Sequence, residues 1–375
     1  MPYLNPAERS LSPPPRPIQF EKKQIVLLDA EVDSLIRTLK ARKAFGVSGA
    51  ALAAAVLDTG LRVTHRDFAG RVPARRNFTT DYGADPNDVS DGQGHGTNVA
   101  GIIAAGDLHV GIAPGASIVP LKVLTNQGGG TFQWVLDALD WILNDPENHG
   151  ISVVSMSLGD SSNDADDGVH SMDPIRDRVL RLRALRIPVV VAAGNDYFKF
   201  KAEGMGFPAI LTETISVGAV YDANEGPFSY QSGAEAYSTA ADRLTPFSQR
   251  LHESTNTRTR TDIFAPGAPV TSSGIDSDEG ESVQQGTSQA TPVVTGVILL
   301  MQEFFKRTAG VLPPVDLLVE CLRNGAVRVH DGDDEDDNVP HTQKEFLRVD
   351  AFGALEAVRR KLQHHLLSTQ KAFVP

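Results

Sequence analysis

The sequence has little cysteine, no long apolar stretch and no excess of positive charge, and each of these features excludes a class of protein. A single cysteine, Cys321, leaves no internal disulfide and fits a reducing compartment. No apolar run is long enough to cross a membrane. The first residues, Met1 to Pro6, lack the basic and apolar segments of a secretory signal. We therefore expect a cytoplasmic protein with no membrane partner.

The charge balance is acidic. The net charge is -12 at pH 7, because 47 Asp and Glu residues outnumber 35 Lys and Arg residues. Nucleic acid binding needs a concentrated basic surface, so we expect no nucleic acid partner. The chain has no internal repeat, and its 375 residues, of which 41% are hydrophobic, are enough for one sizeable core or two modest ones.

Prolines mark the first stretch of the chain, where they disfavour both helix and sheet: they are Pro2, Pro6, Pro13, Pro14, Pro15 and Pro17. We expect a proline-rich N-terminal extension over residues 1–24, one domain over residues 25–365 and a C-terminal tail over residues 366–375. Within the domain, residues 221–261 read as a polar insertion, either a flap or a loose loop.

Patterns of buried strands and amphipathic helices alternate along the middle of the chain. Residues 51–57 are a continuous apolar run typical of a buried parallel strand. Residues 131–144 place their apolar side chains on one helical face, and residues 293–305 are apolar nearly all round, as in a buried helix. This alternation predicts an α/β fold with a mostly parallel sheet and helices on both faces.

Four polar residues stand at the predicted ends of these elements. Asp58 follows the first strand, His95 lies where a glycine-rich turn enters a helix, Asn195 follows a later strand, and Ser288 precedes the buried helix, with Pro292 expected in its first turn. A serine hydroxyl becomes a nucleophile when an imidazole removes its proton and a carboxylate orients the ring. An asparagine amide can stabilise the resulting oxyanion. Alone, Ser288 is better explained as a helix N-cap, so the interpretation depends on the set.

The local patterns around these residues resemble the subtilisin-like (subtilase) serine proteases, and an intracellular-type member of that family in particular. They occur in the family's order and are Val56-Leu57-Asp58-Thr59-Gly60, Gly94-His95-Gly96-Thr97, Ala192-Ala193-Gly194-Asn195 and Gly286-Thr287-Ser288. The resemblance covers about residues 45–362. It implies the family's three-layer fold and a serine endopeptidase.

The resemblance also implies a role for each residue. It makes Ser288 the nucleophile, His95 the general base and then acid, Asp58 the carboxylate that orients His95, and Asn195 the oxyanion donor. Two segments match the family's substrate-binding strands, and they are Gly128, Gly129 and Gly130, and Ser157, Leu158 and Gly159. An extended peptide would pair between them as an added strand, so polypeptides are the expected substrates.

The sequence departs from the family at several positions. Asp160 follows Gly159 where a second glycine is common, and the acidic loop beyond it indicates either a preference for basic peptides or a solvated loop. Residues 105–111 are short where secreted relatives carry a calcium-binding loop, so we expect no metal there and no cofactor. The acidic run at residues 331–338 is either a structural calcium site or an exposed turn, and the turn is favoured because the run lacks the spacing of an ordered calcium loop.

Two other functions remain open from the sequence. One is a catalytically silent peptide-binding scaffold on the same fold, and the other is a protease dedicated to one peptide, gated by residues 221–261. The enzyme is favoured because all four chemical positions are filled. Some intracellular relatives cover their cleft with a short N-terminal extension, so residues 1–20 are either self-inhibitory or a disordered tail.

Overall fold

The computed structural model describes residues 10–11, 30–144, 149–332 and 334–371. The strands in these residues are β1 Ser10–Leu11, β2 Ala53–Asp58, β3 Arg76–Asn77, β4 Ser117–Lys122, β5 Gly130–Thr131, β6 Ile151–Met156, β7 Val189–Ala192, β8 Ile215–Tyr221, β9 Phe228–Ser229, β10 Glu235–Ser238, β11 Ile263–Ala268, β12 Val270–Ser273, β13 Glu281–Gln284, β14 Val327–His330, β15 Asp336–Asp337 and β16 Glu345–Arg348. The α-helices are α1 Ala30–Ile36, α2 Thr38–Phe45, α3 His95–Ala104, α4 Phe132–Asn144, α5 Pro174–Ala184, α6 Tyr197–Phe200, α7 Thr287–Ala309, α8 Val315–Gly325 and α9 Ala351–Lys371.

The large central sheet has the strand order β14-β16-β11-β8-β7-β6-β2-β4-β3. Its neighbours pair in parallel except at one edge, where β14 runs antiparallel to β16. Every residue of β2, β6, β7 and β8 is buried, as expected for strands covered on both faces. The prediction of an α/β fold with a mostly parallel sheet is confirmed.

Two hydrophobic cores lie on opposite faces of this sheet, because successive side chains of a strand point to opposite sides. In β2, Ala54 and Val56 belong to the core that contains α3 and α7, whereas Ala53, Ala55 and Leu57 belong to the core that contains α4 and α5. The result is three layers, with the sheet between two sets of helices. Among the described helices, none combines the length and hydropathy that a bilayer span requires.

Helix α7 is the main buried helix, and residues 287–303 are buried without interruption. It packs against α3, α9 and four of the sheet strands, β6, β7, β8 and β11. A helix surrounded in this way is rigid, since every face contributes to the core. Its first residues therefore have a fixed position relative to the ends of the strands.

Two segments differ from the sequence-based expectations, and a third lies almost wholly outside the described residues. Residues 244–251 are all buried and β10 pairs with β15, so this part of the 221–261 segment is neither a flap nor a loose loop. Helix α9 continues to Lys371, so the predicted tail at residues 366–375 begins inside a helix. The predicted N-terminal extension lies outside the described residues except for Ser10 and Leu11, which form β1.

Candidate active site

The carboxyl ends of three neighbouring parallel strands meet at one edge of the sheet. Strand β2 ends in Asp58, β6 is followed by Ser157, and β7 is followed within three residues by Asn195. Because the order is β7-β6-β2, these side chains start from adjacent strands. Open α/β sheets place their sites at such an edge.

His95 and Asp58 form a buried pair. The distance from His95 Nδ1 to Asp58 Oδ1 is 2.7 Å, and the two side chains are 0% and 1% exposed. The N–H of Thr59 donates to the same carboxylate oxygen at 2.7 Å. Because a carboxylate only accepts, Nδ1 carries the proton and Nε2 keeps its lone pair. Nε2 is buried and has no hydrogen-bond partner among the described residues, so it is free to act as a base.

Gly96 allows helix α3 to begin directly against the turn after β2. A Cβ atom on Gly96 would lie 2.3 Å from the carbonyl oxygen of Gly60 and 3.2 Å from Cβ of Asp58. Any side chain there would push the helix away, so glycine is required by the close approach. This approach brings His95 to Asp58.

Asp91 fixes the start of α3 and was missed by the sequence analysis. Its Oδ1 accepts from Thr59 Oγ1 at 2.9 Å and from the N–H of Gly94 at 2.8 Å, and its Oδ2 accepts from the N–H and Oγ1 of Thr97 at 2.9 and 2.7 Å. The carboxylate therefore joins the end of β2 to the first turn of the helix. An acidic residue just before a helix start is the signal that could have identified it.

Lys122 is a second residue that the sequence did not reveal. It is fully buried, and its Nζ donates to the carbonyl oxygens of Thr59 and Leu124 at 2.5 and 3.1 Å and lies 3.2 Å from Asp81 Oδ2. Burial lowers the pKa of this lysine, although Asp81 opposes the effect. The side chain supports the backbone immediately after Asp58.

Ser288 is the second residue of α7 and is 4% exposed. Its Oγ lies 3.3 Å from the carbonyl oxygen of Ser157, which makes a weak hydrogen bond. Although both atoms belong to described residues, Ser288 Oγ and His95 Nε2 are not hydrogen-bonded to each other. Contacts of this kind are often long without substrate and tighten when it binds.

Ser157 compensates for a proline inside α7. Pro292 was expected in the first turn, but the helix begins at Thr287, so the proline lies in the second turn and removes the N–H that would bond to the carbonyl of Ser288. Ser157 Oγ donates to that carbonyl instead, at 2.8 Å. The end of β6 is thereby attached to the start of α7.

Asn195 is oriented by the residue before Ser288. Its Oδ1 accepts from the N–H of Thr287 at 2.9 Å and from Thr287 Oγ1 at 3.0 Å. Gly194 has a φ of 115°, a conformation that favours glycine, and it aims the asparagine toward α7. Because Oδ1 is occupied, the Nδ2 hydrogens remain available, and none of the described residues accepts from them.

The two predicted substrate-binding segments flank this region differently. Residues 128–130 form a turn in which the N–H of Gly128 donates to Thr125 O at 2.8 Å, and a side chain on Gly129 would meet nothing within 4 Å. Strand β5 starts at Gly130 and pairs antiparallel with β1, with Leu11 opposite Gly130. Residues 157–159 directly follow β6, and Leu158 is 5% exposed.

Two groups of side chains in the described residues have potential metal-ligand atoms close together, and they are His65, Asp67 and His109, and Asp331, Glu335 and His341. In the first, Asp67 already accepts from the N–H groups of Leu108 and His109, from Ser273 Oγ and from His109 Nδ1, at 2.6 to 3.0 Å. In the second, Arg250 lies 3.2 Å from Asp331 and supplies the positive charge. Protein donors therefore already contact the carboxylate oxygens of Asp67 and Asp331.

The acidic run is only partly the exposed turn that the sequence predicted, because Asp334 and Asp336 are exposed whereas its first residue is not. Asp331 is fully buried, and it pairs with Arg250, which is itself 1% exposed. Thr342 donates to the other carboxylate oxygen through its N–H at 2.8 Å and its Oγ1 at 2.6 Å. Removing either member of a buried pair of this kind would cost about 3–5 kcal/mol.

The pair of Asp67 and His109 closes the short loop after α3. Burial alone would raise the pKa of Asp67, but hydrogen bonds from His109 and Ser273 hold that pKa well below its usual 3.8. Burial would lower the pKa of His109, but the hydrogen bond to Asp67 and the nearby Glu281 raise it above 6.5. The His65 ring also lies close, with its centroid 6.1 Å from that of His109.

We expect this pair to make stability depend on pH. The Asp67 contribution is present above about pH 4 and is lost as the pH falls; the His109 contribution is full below about pH 6.5 and is lost as the pH rises through its raised pKa. His109→Gln should therefore lower the melting temperature most between about pH 4 and 6.5 and less at pH 9. Thermal denaturation of the native protein and of His109→Gln, from about pH 4 to pH 9, measures this difference in melting temperature. His149→Gln, at a histidine that stacks on Trp141, is the control, and a pH-independent His109 effect would contradict the account.

Comparisons with known proteins agree with this geometry. The sequence profile of the subtilase family matches residues 49–339. An intracellular serine protease of Paenibacillus polymyxa is 29% identical over 296 residues, which are 77% of this chain and 79% of that protein. The major intracellular serine protease of Bacillus subtilis (strain 168) is 31% identical over 281 residues, 73% of this chain and 76% of that protein. An extracellular serine proteinase of Thermus sp. (strain Rt41A) is 31% identical over 275 residues, 73% of this chain and 56% of that protein. The chain thus belongs to the subtilase family and is a subtilisin-like serine endopeptidase.

Proposed function

We propose that this chain hydrolyses peptide bonds through Asp58, His95 and Ser288 by way of an acyl-enzyme intermediate. The observation that carries the proposal is the 2.7 Å contact between His95 Nδ1 and Asp58 Oδ1, which leaves Nε2 as a buried base that no described residue contacts by a hydrogen bond. A serine at the start of a rigid helix and a free asparagine amide lie at the same edge of the sheet. This set supplies a base, a nucleophile and an oxyanion donor.

In the first half of the reaction, the proton of Ser288 Oγ passes to His95 Nε2 while Oγ bonds to the carbonyl carbon of the substrate. The resulting oxyanion accepts from Asn195 Nδ2 and from the N–H of Ser288, which the start of a helix leaves free. His95 then gives its proton to the leaving nitrogen as the carbon–nitrogen bond breaks. The product is an ester on Ser288 and a free amine.

In the second half, His95 takes a proton from a water molecule that attacks the ester. The oxyanion forms again at the same donors, and His95 returns the proton to Ser288 Oγ as the ester bond breaks. Asp58 stays ionised throughout and stabilises the imidazolium. Side chains, backbone groups and water supply every step, so we propose that the reaction needs no cofactor.

The substrate is proposed to be an extended polypeptide that pairs with residues 128–130 and lies along residues 157–159. Support comes from β1, which pairs antiparallel with Gly130 and Thr131 as a substrate strand would. Backbone pairing makes few demands on side chains, which favours general over dedicated proteolysis. We place the reaction in the cytoplasm, in line with the single, buried Cys321 and with two relatives whose names call them intracellular.

The same pairing supports self-inhibition by the N-terminal extension, because β1 occupies an edge that a peptide would need. We expect deletion of residues 1–20 to raise kcat/KM by about tenfold, the factor for a site covered about 90% of the time. Initial rates on a fluorogenic peptide measure the effect. Deletion of residues 1–9 alone, which keeps Ser10 and Leu11, should raise kcat/KM less. Equal kcat/KM for the full chain and both deletions would contradict the hypothesis.

The competing function is a silent peptide-binding scaffold on the same fold. A fluorophosphonate probe separates the two, because it phosphonylates only a serine that an adjacent base activates. We expect stoichiometric labelling, with the probe mapped by mass spectrometry to the peptide that contains Ser288. A folded protein that remains unlabelled would favour the scaffold.

A further inference from the structure

The cleft beside Ser288 has two walls and a floor. One wall is formed by residues 157–160 after β6, and the other by residues 193–195 after β7. Gly206 and Phe207 cross between them: the N–H of Gly206 donates to Ala193 O at 2.9 Å, and the N–H of Asp160 donates to Phe207 O at 3.1 Å. Both walls contact the start of α7, through Ser157 and Asn195. Gly206 and Phe207 are therefore hydrogen-bonded to the two segments that hold the start of α7.

Oxygen atoms surround the Cα of Gly206 on the side where a side chain would be. A Cβ atom built on Gly206 would have as its three nearest neighbours the carbonyl oxygens of Ala193 and Ser162, each at 3.7 Å, and Asp160 Oδ1 at 4.0 Å. These are ordinary van der Waals distances, so the three oxygens surround this position without crowding it. Each neighbour is a hydrogen-bond acceptor.

Gln249 adds a further acceptor beside the same wall. Its side chain is fully buried, and its Nε2 donates to Ser162 O at 2.9 Å and to Asn163 Oδ1 at 2.7 Å, which fixes the orientation of the amide. Its Oε1 lies where a side chain on Gly194 would be and has no hydrogen-bond partner in the described residues. A buried acceptor without a donor is unusual and points to a donor that arrives with a ligand or a water molecule.

Asp160 supplies a fixed negative charge at this place. Its Oδ1 accepts from the N–H groups of Phe207 and Ser162 at 3.1 and 3.0 Å, so the carboxylate cannot turn away. Its Oδ2 has no partner among the described residues, and the side chain is half-buried. The pocket thus combines one carboxylate with several carbonyl-type oxygens.

Two other acids of the same loop lie beside basic side chains. Asp164 lies 2.9 Å from His170, and Asp167 lies 3.0 Å from Arg176. Within the described part of the chain, Asp160 forms no ion pair. Asp166 also forms none there but is exposed, whereas Asp160 is half-buried and lies beside Gly206.

We propose that this pocket binds the side chain of the residue before the cleaved bond and selects lysine or arginine. The inference rests on the proposed peptidase function and names its substrate class. The ammonium or guanidinium group of such a residue brings only donors, which match the acceptors of Asp160, Gln249 and the two carbonyls. An apolar side chain of similar length would displace water from these oxygens without replacing its hydrogen bonds.

The test uses the full chain and a series of fluorogenic peptides that differ only in the residue before the cleaved bond, which is Lys, Arg, Leu or Phe. We expect kcat/KM for Lys and Arg to exceed that for Leu by about 100-fold. Asp160→Asn keeps an oxygen that can accept from the N–H groups of Phe207 and Ser162. In this variant, the ratio of kcat/KM for the Lys peptide to that for the Leu peptide should fall about tenfold. Asp166→Asn, an exposed acid of the same loop that also accepts from a backbone N–H, should keep the native ratio.

A second variant tests whether the substrate side chain lies beside Gly206. Gly206→Ala should reduce kcat/KM for Arg and Lys peptides more than for an Ala peptide, because the added methyl group narrows the space without a backbone clash. A preference for Leu or Phe would overturn the inference, and so would equal effects of Asp160→Asn and Asp166→Asn. A protein that cleaves none of the peptides and resists the fluorophosphonate probe would contradict the peptidase function itself. Cleavage with an apolar preference would contradict only the selectivity.

Discussion

Ser288→Ala is expected to lower kcat for peptide hydrolysis by about 10⁴- to 10⁶-fold, because no other hydroxyl replaces the nucleophile at the start of α7. The fold should persist, since the hydrogen bond that Ser288 Oγ makes within the described residues is long, 3.3 Å to Ser157 O. Steady-state rates on a fluorogenic peptide, together with thermal denaturation, measure both effects.

Thr291→Ala is the matched control for this change. It removes a hydroxyl one helical turn further along, where Oγ1 donates to Thr287 O at 2.8 Å inside the buried helix. We expect it to alter stability modestly and leave kcat within a few-fold of the native value. Comparable activity in Ser288→Ala and the native protein would exclude Ser288 as the nucleophile.

Asp58→Asn is expected to lower kcat by about 10⁴-fold, with little change in structure. An asparagine amide can donate to His95 Nδ1, which would move the ring proton to Nε2 and remove the base. The geometry makes this effect large, because the 2.7 Å contact with Asp58 is the hydrogen bond that fixes the His95 ring. Rates measured across the pH range detect the loss.

The control for Asp58→Asn is Asp278→Asn, which removes the same charge from an exposed carboxylate paired with Arg62 at 2.8 Å. Exposed pairs contribute about 0–1 kcal/mol, and we expect native kcat in this variant. A loss of less than about tenfold in Asp58→Asn would mean that another group orients His95.

The sequence was sufficient for the features that depend on local pattern. Strand β2 could be located because an unbroken apolar run is what a strand covered on both faces requires, and its abrupt end at Asp58 gave the edge of the sheet. The buried helix that follows Ser288 was equally clear from its apolar length. Together these positions predicted where the site would lie.

Features that depend on contacts distant in sequence were not predictable. In the sequence, Lys122 is an ordinary strand residue, and only the structure shows that its side chain donates to the carbonyl oxygen of Thr59. The acidic run appeared solvated because its partner, Arg250, lies in a segment that reads as polar and loose, and burial of both becomes favourable only when they pair. The run of acidic residues therefore indicated an exposed turn, whereas in the fold Asp331 forms a buried ion pair with Arg250.

The displacement of Pro292 has a similar origin. A proline near a helix start is normally accommodated in the first turn, where no N–H is needed. Here it lies deeper, and a hydroxyl from another strand, that of Ser157, replaces the missing donor at 2.8 Å. Only the tertiary structure shows that compensation, and it also explains how the cleft wall is joined to the helix that bears Ser288.

The central claim is that Ser288 becomes acylated during turnover. Mixing the protein with an excess of a p-nitrophenyl ester and quenching with acid within the first turnovers allows the intermediate to be measured by intact-protein mass spectrometry. We expect a burst of one p-nitrophenol per protein, the acyl mass on the peptide that contains Ser288, and neither in Ser288→Ala. Hydrolysis without a burst and without acyl mass on that peptide would contradict the mechanism.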